Sequence, residues 1–232
     1  MRLSVLKTIQ TAAAELGLTP PNTVVASNDS TANQLLALFG AVCDELVRDY
    51  NWSALHTEYT FPTVYDTDTY PLPEDFQRVV NDTEWNKRSQ TVMAGPANPS
   101  TWQRLKNATI GSFQYVFRVK GSSIIIQPVP SIESSDLSLE YISAYYLVDS
   151  TTRIPKPAVD SNSDLFVFDD RLIINGIKLK FKEITGLNSE AAAYDYEMTK
   201  RSVISSDGGA QVLMLGRSPS HFSNIPDGNW NQ

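Results

Sequence analysis

Apolar residues at Val5, Ile9, Ala12 and Leu16 recur at spacings of four, three and four, which predicts an amphipathic helix. Gly17 is a stop for it, and Pro20-Pro21 prevents resumption. After the polar "NTVVASNDS", a second helix capped by Asp29 or Ser30 carries two adjoining apolar rows. One row is Leu35, Phe39, Val42 and Leu46; the other is Leu36, Cys43, Val47 and Tyr50. Together they make a face wider than one partner helix covers. Such a helix is either central in its own domain or open at its far edge to another subunit. In the second case Phe39, Cys43 and Val47 are candidate interface residues.

From Trp52 to about Ser150 the period changes. "TEYTF" alternates, "SFQYVFRVKGSSIIIQPVP" reads as two strands joined at Gly121-Ser122, and "LSLEYISAYYLV" is a long β-rich run. Within this region, residues 70–106 show no sustained periodicity, yet hold Phe76, Val79, Val80, Trp85, Val92, Met93 and Trp102. Loops normally carry polar side chains over the surface. The expectation is an irregular arm that buries Phe76 and Trp85 in its own domain and offers Trp102 to a neighbouring subunit.

Past the linker "TTRIPKPAVDSNSD", a stripe of Ile173, Ile177, Phe181 and Ile184 predicts a third helix ended by Gly186. "NSEAAAYDYEMTKRSV" predicts a fourth, with Asn188 or Ser189 as cap, Glu190 in its first turn and Lys200 and Arg201 in its last. The fold class is therefore α+β. Residues 1–52 and 164–205 form a helical bundle, 53–163 an inserted antiparallel β domain, and 206–232 an extended tail. That tail is rich in Gly, Ser, Asn and Pro, a composition that frays unless a partner surface ties it down. Leu213, Leu215, Phe222, Ile225 and Trp230 are its candidate docking anchors.

Composition narrows the possibilities. With 232 residues, 41% hydrophobic and 10% aromatic, the chain has the makings of one or two cored domains. A net charge of −7 gives no basic field to grip nucleic acid, although it is compatible with DNA passing close by without sticking. The single cysteine, Cys43, excludes an intramolecular disulfide, and its apolar neighbours predict a small buried side chain. This fits a reducing cytoplasm or a particle assembled inside one. Lys7 and Glu15 interrupt any signal-peptide core, and no run approaches the ~18 apolar residues of a membrane span.

Catalytic motifs are missing: there is no G-x-S-x-G, G-x-x-x-x-G-K-[ST], G-x-G-x-x-G or H-E-x-x-H. Two histidines, His56 and His221, and one cysteine supply no zinc set, so the expectation is no enzyme, no metal and no cofactor. Glu74-Asp75 and Asp82 with Glu84 read as turn and helix-start residues, and Asp169-Asp170 as the start of the third helix. Lys87, Arg88, Arg104 and Lys106 lie near Trp85 and Trp102, a mixture that binds single strands elsewhere, but neighbouring acids nearly cancel it.

One ordered set of segments carries a resemblance. "YPLPEDFQRVVNDTEWN", then "GPANPSTWQRLK", then "FRVKGSSIIIQPVP", preceded by Arg48, Tyr50 and Trp52 in "RDYNWS", resembles head-to-tail connector proteins of tailed, especially short-tailed, bacteriophages. It covers roughly residues 3–130, with a looser match through the final helices; the tail has no counterpart. The resemblance implies a structural virion component assembled in the host cytoplasm. Its implied partners are further copies in a dodecameric ring, the portal protein and tail or nozzle proteins, with DNA passing through the channel. A ring of heterologous contacts requires two different complementary faces on each subunit. The competing reading is a monomeric carbohydrate- or peptide-binding module whose platforms are Trp85 and Trp102. A hydrolase using paired carboxylates ranks last.

Overall fold

The computed structural model describes residues 3–107, 114–131 and 136–208. Among them are five helices: α1 (Val5–Glu15), α2 (Ser30–Asp49), α3 (Pro99–Asn107), α4 (Asp170–Thr185) and α5 (Glu190–Asp207). The strands are β1 (His56–Pro62), β2 (Thr69–Pro71), β3 (Phe76–Val79), β4 (Trp85–Asn86), β5 (Thr91–Val92), β6 (Val116–Lys120), β7 (Ser123–Gln127), β8 (Asp136–Ser143), β9 (Leu147–Val148), β10 (Pro155–Lys156) and β11 (Leu165–Phe166). All of their strand pairings are antiparallel, so the fold is mixed α+β.

Local chemistry sets the helix ends. Ser4 caps α1 by accepting from the Lys7 N–H at 3.3 Å, and Asp29 caps α2 by accepting from the Thr31 N–H at 3.0 Å. Asp169 caps α4 through two main-chain N–H groups, and Gly186 closes it in the left-handed conformation at φ +70°. Of the two caps expected for α5, Ser189 makes no side-chain cap bond, and Asn188 accepts from the Glu190 N–H. α5 also continues to Asp207, so Lys200 and Arg201 lie mid-helix rather than in the last turn. There Lys200 serves a tertiary contact, donating to Asp49 at 2.6 Å.

Helix α4 packs against α1, α2 and α5. The resulting core contains Val5, Ile9, Leu35, Phe39, Val42, Cys43, Leu46, Ile173 and Ile177. Charges frame it: Glu15 accepts from Arg171 and from Lys178 at 2.7 Å, and Lys180 pairs with Glu45 at 2.6 Å. Burial alone would raise the Glu15 carboxyl, but the bonds from Lys178 and Arg171 outweigh it and hold the group below its ordinary range. The α4 stripe runs out at its end, since Ile184 is 64% exposed.

The wide apolar face of α2 is covered from within the chain. Phe39 meets Phe166 edge to face at 5.4 Å, and the indole of Trp52 donates back to the Leu46 carbonyl at 2.7 Å while stacking edge-on to Phe168. Phe39, Cys43 and Val47 are thus consumed by their own core at 1%, 0% and 4% exposure. They have no surface to offer a neighbour, which corrects their assignment as interface residues.

A second core lies between β1, β8 and the sheet β2-β7-β6, and contains Phe61, Tyr70, Met93, Phe117, Ile124, Ile126, Leu137, Leu139 and Tyr141. Strand β8 is central: β1 pairs along one edge, β3 and β4 along the other. Its Leu137, Leu139 and Tyr141 face this second core, while Ile142, on the opposite face, enters the helical one. The presumed linker is tied into the fold at its last residue. Asp164 is fully buried, holds the Lys156 ammonium at 2.6 Å, and accepts at Oδ2 from the N–H groups of Asp160 and Ser161. Its carbonyl takes the Val5 N–H, so this turn seats the start of α1.

Candidate functional site

The stretch 70–106 is shaped by a few specific bonds to distant residues. "PLPEDF" does not begin a short helix, as its composition predicts; it is a turn held by Asp75. The Asp75 carboxylate accepts from the Tyr141 hydroxyl at 2.8 Å and the Ser143 hydroxyl at 2.6 Å, and its carbonyl accepts from the Ala144 N–H. Burial, followed by the neighbouring Asp75, pushes the Tyr141 hydroxyl well above its ordinary range, so it stays a donor.

Three residues on, Arg78 reaches the other half of the molecule. Its guanidinium donates to the Val47 carbonyl at 2.7 Å, to the Tyr50 carbonyl at 2.8 Å, and to Asn51 Oδ1 from both Nε and Nη2. Carbonyls at a helix C-terminus have no partner within the helix, and a guanidinium fork suits them in geometry and in sign. Arg78 therefore ties the irregular arm to the end of α2.

The arm then contributes β4 and β5 to the sheet and returns as α3, a helix not expected from periodicity. Asn98 accepts from the Thr101 N–H at 2.8 Å and Pro99 opens the helix, where its missing N–H costs nothing. Trp102 departs from its expected role. Trp102 is 2% exposed and Trp85 is half-buried in β4. Trp102 is therefore neither an intersubunit contact nor an open ligand platform, and the monomeric binding-module reading loses one of its two aromatic surfaces.

The acidic residues of the arm do not converge into a catalytic pair. Asp82 occupies a turn at φ +66°, and Glu84 is buried alone at 2% exposure, with Oε1 lacking a hydrogen-bond partner. Burial raises the Glu84 carboxyl above its ordinary range. The folded protein then holds a proton there that the unfolded chain has released, so stability falls as pH rises through that window. The expected result is that Glu84→Gln gains on the wild type progressively as pH rises from about 4, measured by denaturant unfolding at a series of pH values. A constant difference would contradict it.

Among the described residues, no group of three His, Cys, Asp or Glu could hold a metal ion, and no helix is long and apolar enough to cross a membrane. Lys87 is paired with Glu58 at 2.9 Å, which removes one of the arm's cations from any phosphate contact. A shallow cleft along α2 is lined by Ala41, Asp44, Glu45, Arg48 and Asp49, four of them charged. What the fold leaves outward is apolar and lies elsewhere. Val64, Tyr65 and Val129 are exposed around the turn where the Asp66 N–H meets the Pro130 carbonyl. Ile184, Leu187, Tyr194 and Met198 are exposed at the α4–α5 corner and along α5. Sequence reading missed both groups, because nothing in a local pattern separates an exposed apolar residue from a buried one. Leu213, Leu215, Phe222, Ile225 and Trp230 lie outside the described residues.

The chain thus presents exposed apolar side chains in both groups, and at Val92 and Ile154 besides. No curated protein matches it. The family model described as SU10 adaptor protein matches residues 4–205, which takes in both cores and all five helices up to the last turn of α5. The chain belongs to the SU10 adaptor protein family and is a structural component of a bacteriophage particle.

Proposed function

We propose that the chain acts by assembly, as a head-to-tail adaptor: copies form a ring below the portal, extend the DNA channel and provide the surface on which tail proteins attach. The observation that carries this reading is the family match over residues 4–205. The charge of −7 supports it, because an acidic wall repels phosphate and lets DNA slide. In this reading residues 1–52 and 164–205 act as the helical unit, 53–163 as the β insert and 206–232 as a docking tail. The ring is dodecameric, and its contacts use the exposed residues at the α4–α5 corner and the turn around Tyr65 rather than the buried faces of α2.

The tail docks on the portal through Phe222, Ile225 and Trp230. Aromatic anchors buried in a partner dominate such interfaces, so Trp230→Ala is expected to weaken portal binding by roughly 2 kcal/mol. Titrating wild-type and variant chains against purified portal measures this, and unchanged affinity would remove the tail from the docking role. Imaging of the assembled particle tests the ring itself.

A further inference from the structure

Helix α5 carries two rows of weakly polar and apolar side chains. The inner one is buried: it includes Ala192 and Tyr196, the latter beside Gly176 of α4. The outer one is Ala191, Tyr194 and Met198, at spacings of three and four, and all three are exposed. Leu187 and Ile184, also exposed, continue it across the corner into α4. The border of this outer stripe is acidic. Glu190 and Glu197 follow one side of it and Asp195 the other, each exposed. The nearby cations Lys180 and Lys200 are already held by Glu45 and Asp49. Beside Ile184 the charges are mixed, Lys182 with Glu183, and Arg201 ends the row.

Such a border works against a symmetric contact of α5 with the α5 of a second copy, because acids would face acids. It works equally against the turn around Tyr65, which brings Asp66 and Asp68. The stripe calls for an apolar tip that carries a cation.

A tip of that kind stands between β9 and β10. Arg153 and Ile154 are adjacent there and both exposed. The turn is closed by the Asp149 N–H donating to the Ile154 carbonyl at 3.0 Å and the Arg153 N–H to the Asp149 carbonyl at 3.1 Å. The Asp149 carboxylate is turned into the loop, accepting from the N–H groups of Thr151 and Thr152. Lys156 is taken by Asp160 and Asp164, so Arg153 is the cation that the tip presents.

Tip and stripe lie at opposite ends of α4. The tip is two strand spacings, about 10 Å, from β11, which leads into the start of α4. The stripe begins where α4 ends. Its sixteen residues hold these ends about 24 Å apart, so the tip does not reach the stripe of its own chain.

We propose that the β9–β10 tip of one copy seats on the α5 stripe of the next, Ile154 against Tyr194 and Met198, Arg153 beside Glu190 and Glu197. The inference rests on the ring reading above and names two surfaces that meet in it. Each copy gives its tip to one neighbour and its stripe to the other, which makes the contact heterologous. The turn around Tyr65 is left to a separate contact.

Disulfide cross-linking of the full-length chain assembled on purified portal tests it. Under oxidation Ile154→Cys/Met198→Cys should give a ladder of covalent multimers on a denaturing gel. Met198→Cys alone and Tyr65→Cys/Met198→Cys should run as monomers; Cys43 is buried and takes no part. Arg153→Glu should weaken assembly tenfold or more, and the charge swap Arg153→Glu/Glu197→Arg should recover most of the loss. An assembled ring without the 154–198 ladder, or a charge swap no better than Arg153→Glu, would overturn the inference and leave the ring reading standing. A covalent dimer from Met198→Cys alone, or a ladder from the Tyr65 pair, would overturn it by giving the stripe another occupant. Wild-type chains that stay separate on the portal would overturn the ring reading and this inference together.

Discussion

Gly95→Ala is expected to lose about 4 kcal/mol of stability, a large share of the 5–15 kcal/mol typical of a folded domain. Two independent costs act at this position. The backbone sits at φ +155°, which side chains rarely adopt, at a cost of about 1–3 kcal/mol. A Cβ there would also lie 2.6 Å from the ring of Phe117 and 2.7 Å from its carbonyl oxygen. Neither neighbour can give way. Phe117 is fully buried, its N–H donates to the Ala94 carbonyl, and its carbonyl accepts from the Ala97 N–H. Overpacking of this kind adds about 1–3 kcal/mol. Denaturant unfolding measures the sum, and a loss below about 1 kcal/mol would show that the strand can shift.

Arg78→Met is the second large effect, expected to cost about 3 kcal/mol. Methionine keeps the apolar stem of the side chain but removes all four donated bonds. The Val47 and Tyr50 carbonyls at the end of α2 then lack their partner, and a bond from a charged donor contributes about 1.5–3 kcal/mol net of its exchange with water. Burial already works against the guanidinium charge, so the site tolerates it only because these acceptors converge. Arg78→Lys should recover less than half, because an ammonium cannot present the planar fork. Faster exchange of the amides closing the last turn of α2 would localise the damage. Equal stability of the Met variant and the wild type would show that water replaces the guanidinium.

Helices α1, α2 and α4 were legible because each combines an apolar stripe with a boundary signal: Gly17 after α1, Asp29 before α2, Asp169 and Gly186 around α4. The pair β6–β7 was legible for the same reason, its turn falling at Gly121-Ser122 as its chemistry requires. The arm was not. Its strands β4 and β5 are two residues long, too short for any period to register. α3 did leave a signal, Asn98 followed by Pro99, which marks a helix start without needing periodicity. The bonds that give the arm its shape were beyond local reading altogether. Asp75 meets Tyr141 across 66 positions, and nothing near Asp75 announces it. Apolar content alone misled on Trp102 and on Phe39, Cys43 and Val47, since a wide hydrophobic face looks the same whether its own sheet or another subunit covers it.

Strand β8 carries a mechanical consequence. Because its Ile142 sits in the helical core while Leu137, Leu139 and Tyr141 line the other, a hinge opening between helices and sheet pulls Ile142 from its contacts. Arg78 and Asp75 clamp the same junction from the side. A displacement applied to the sheet therefore reaches the helices as translation of a stiff body, not as bending. For the ring proposed above, that stiffness is the useful property: a displacement entering one rim is passed on without bending the subunit.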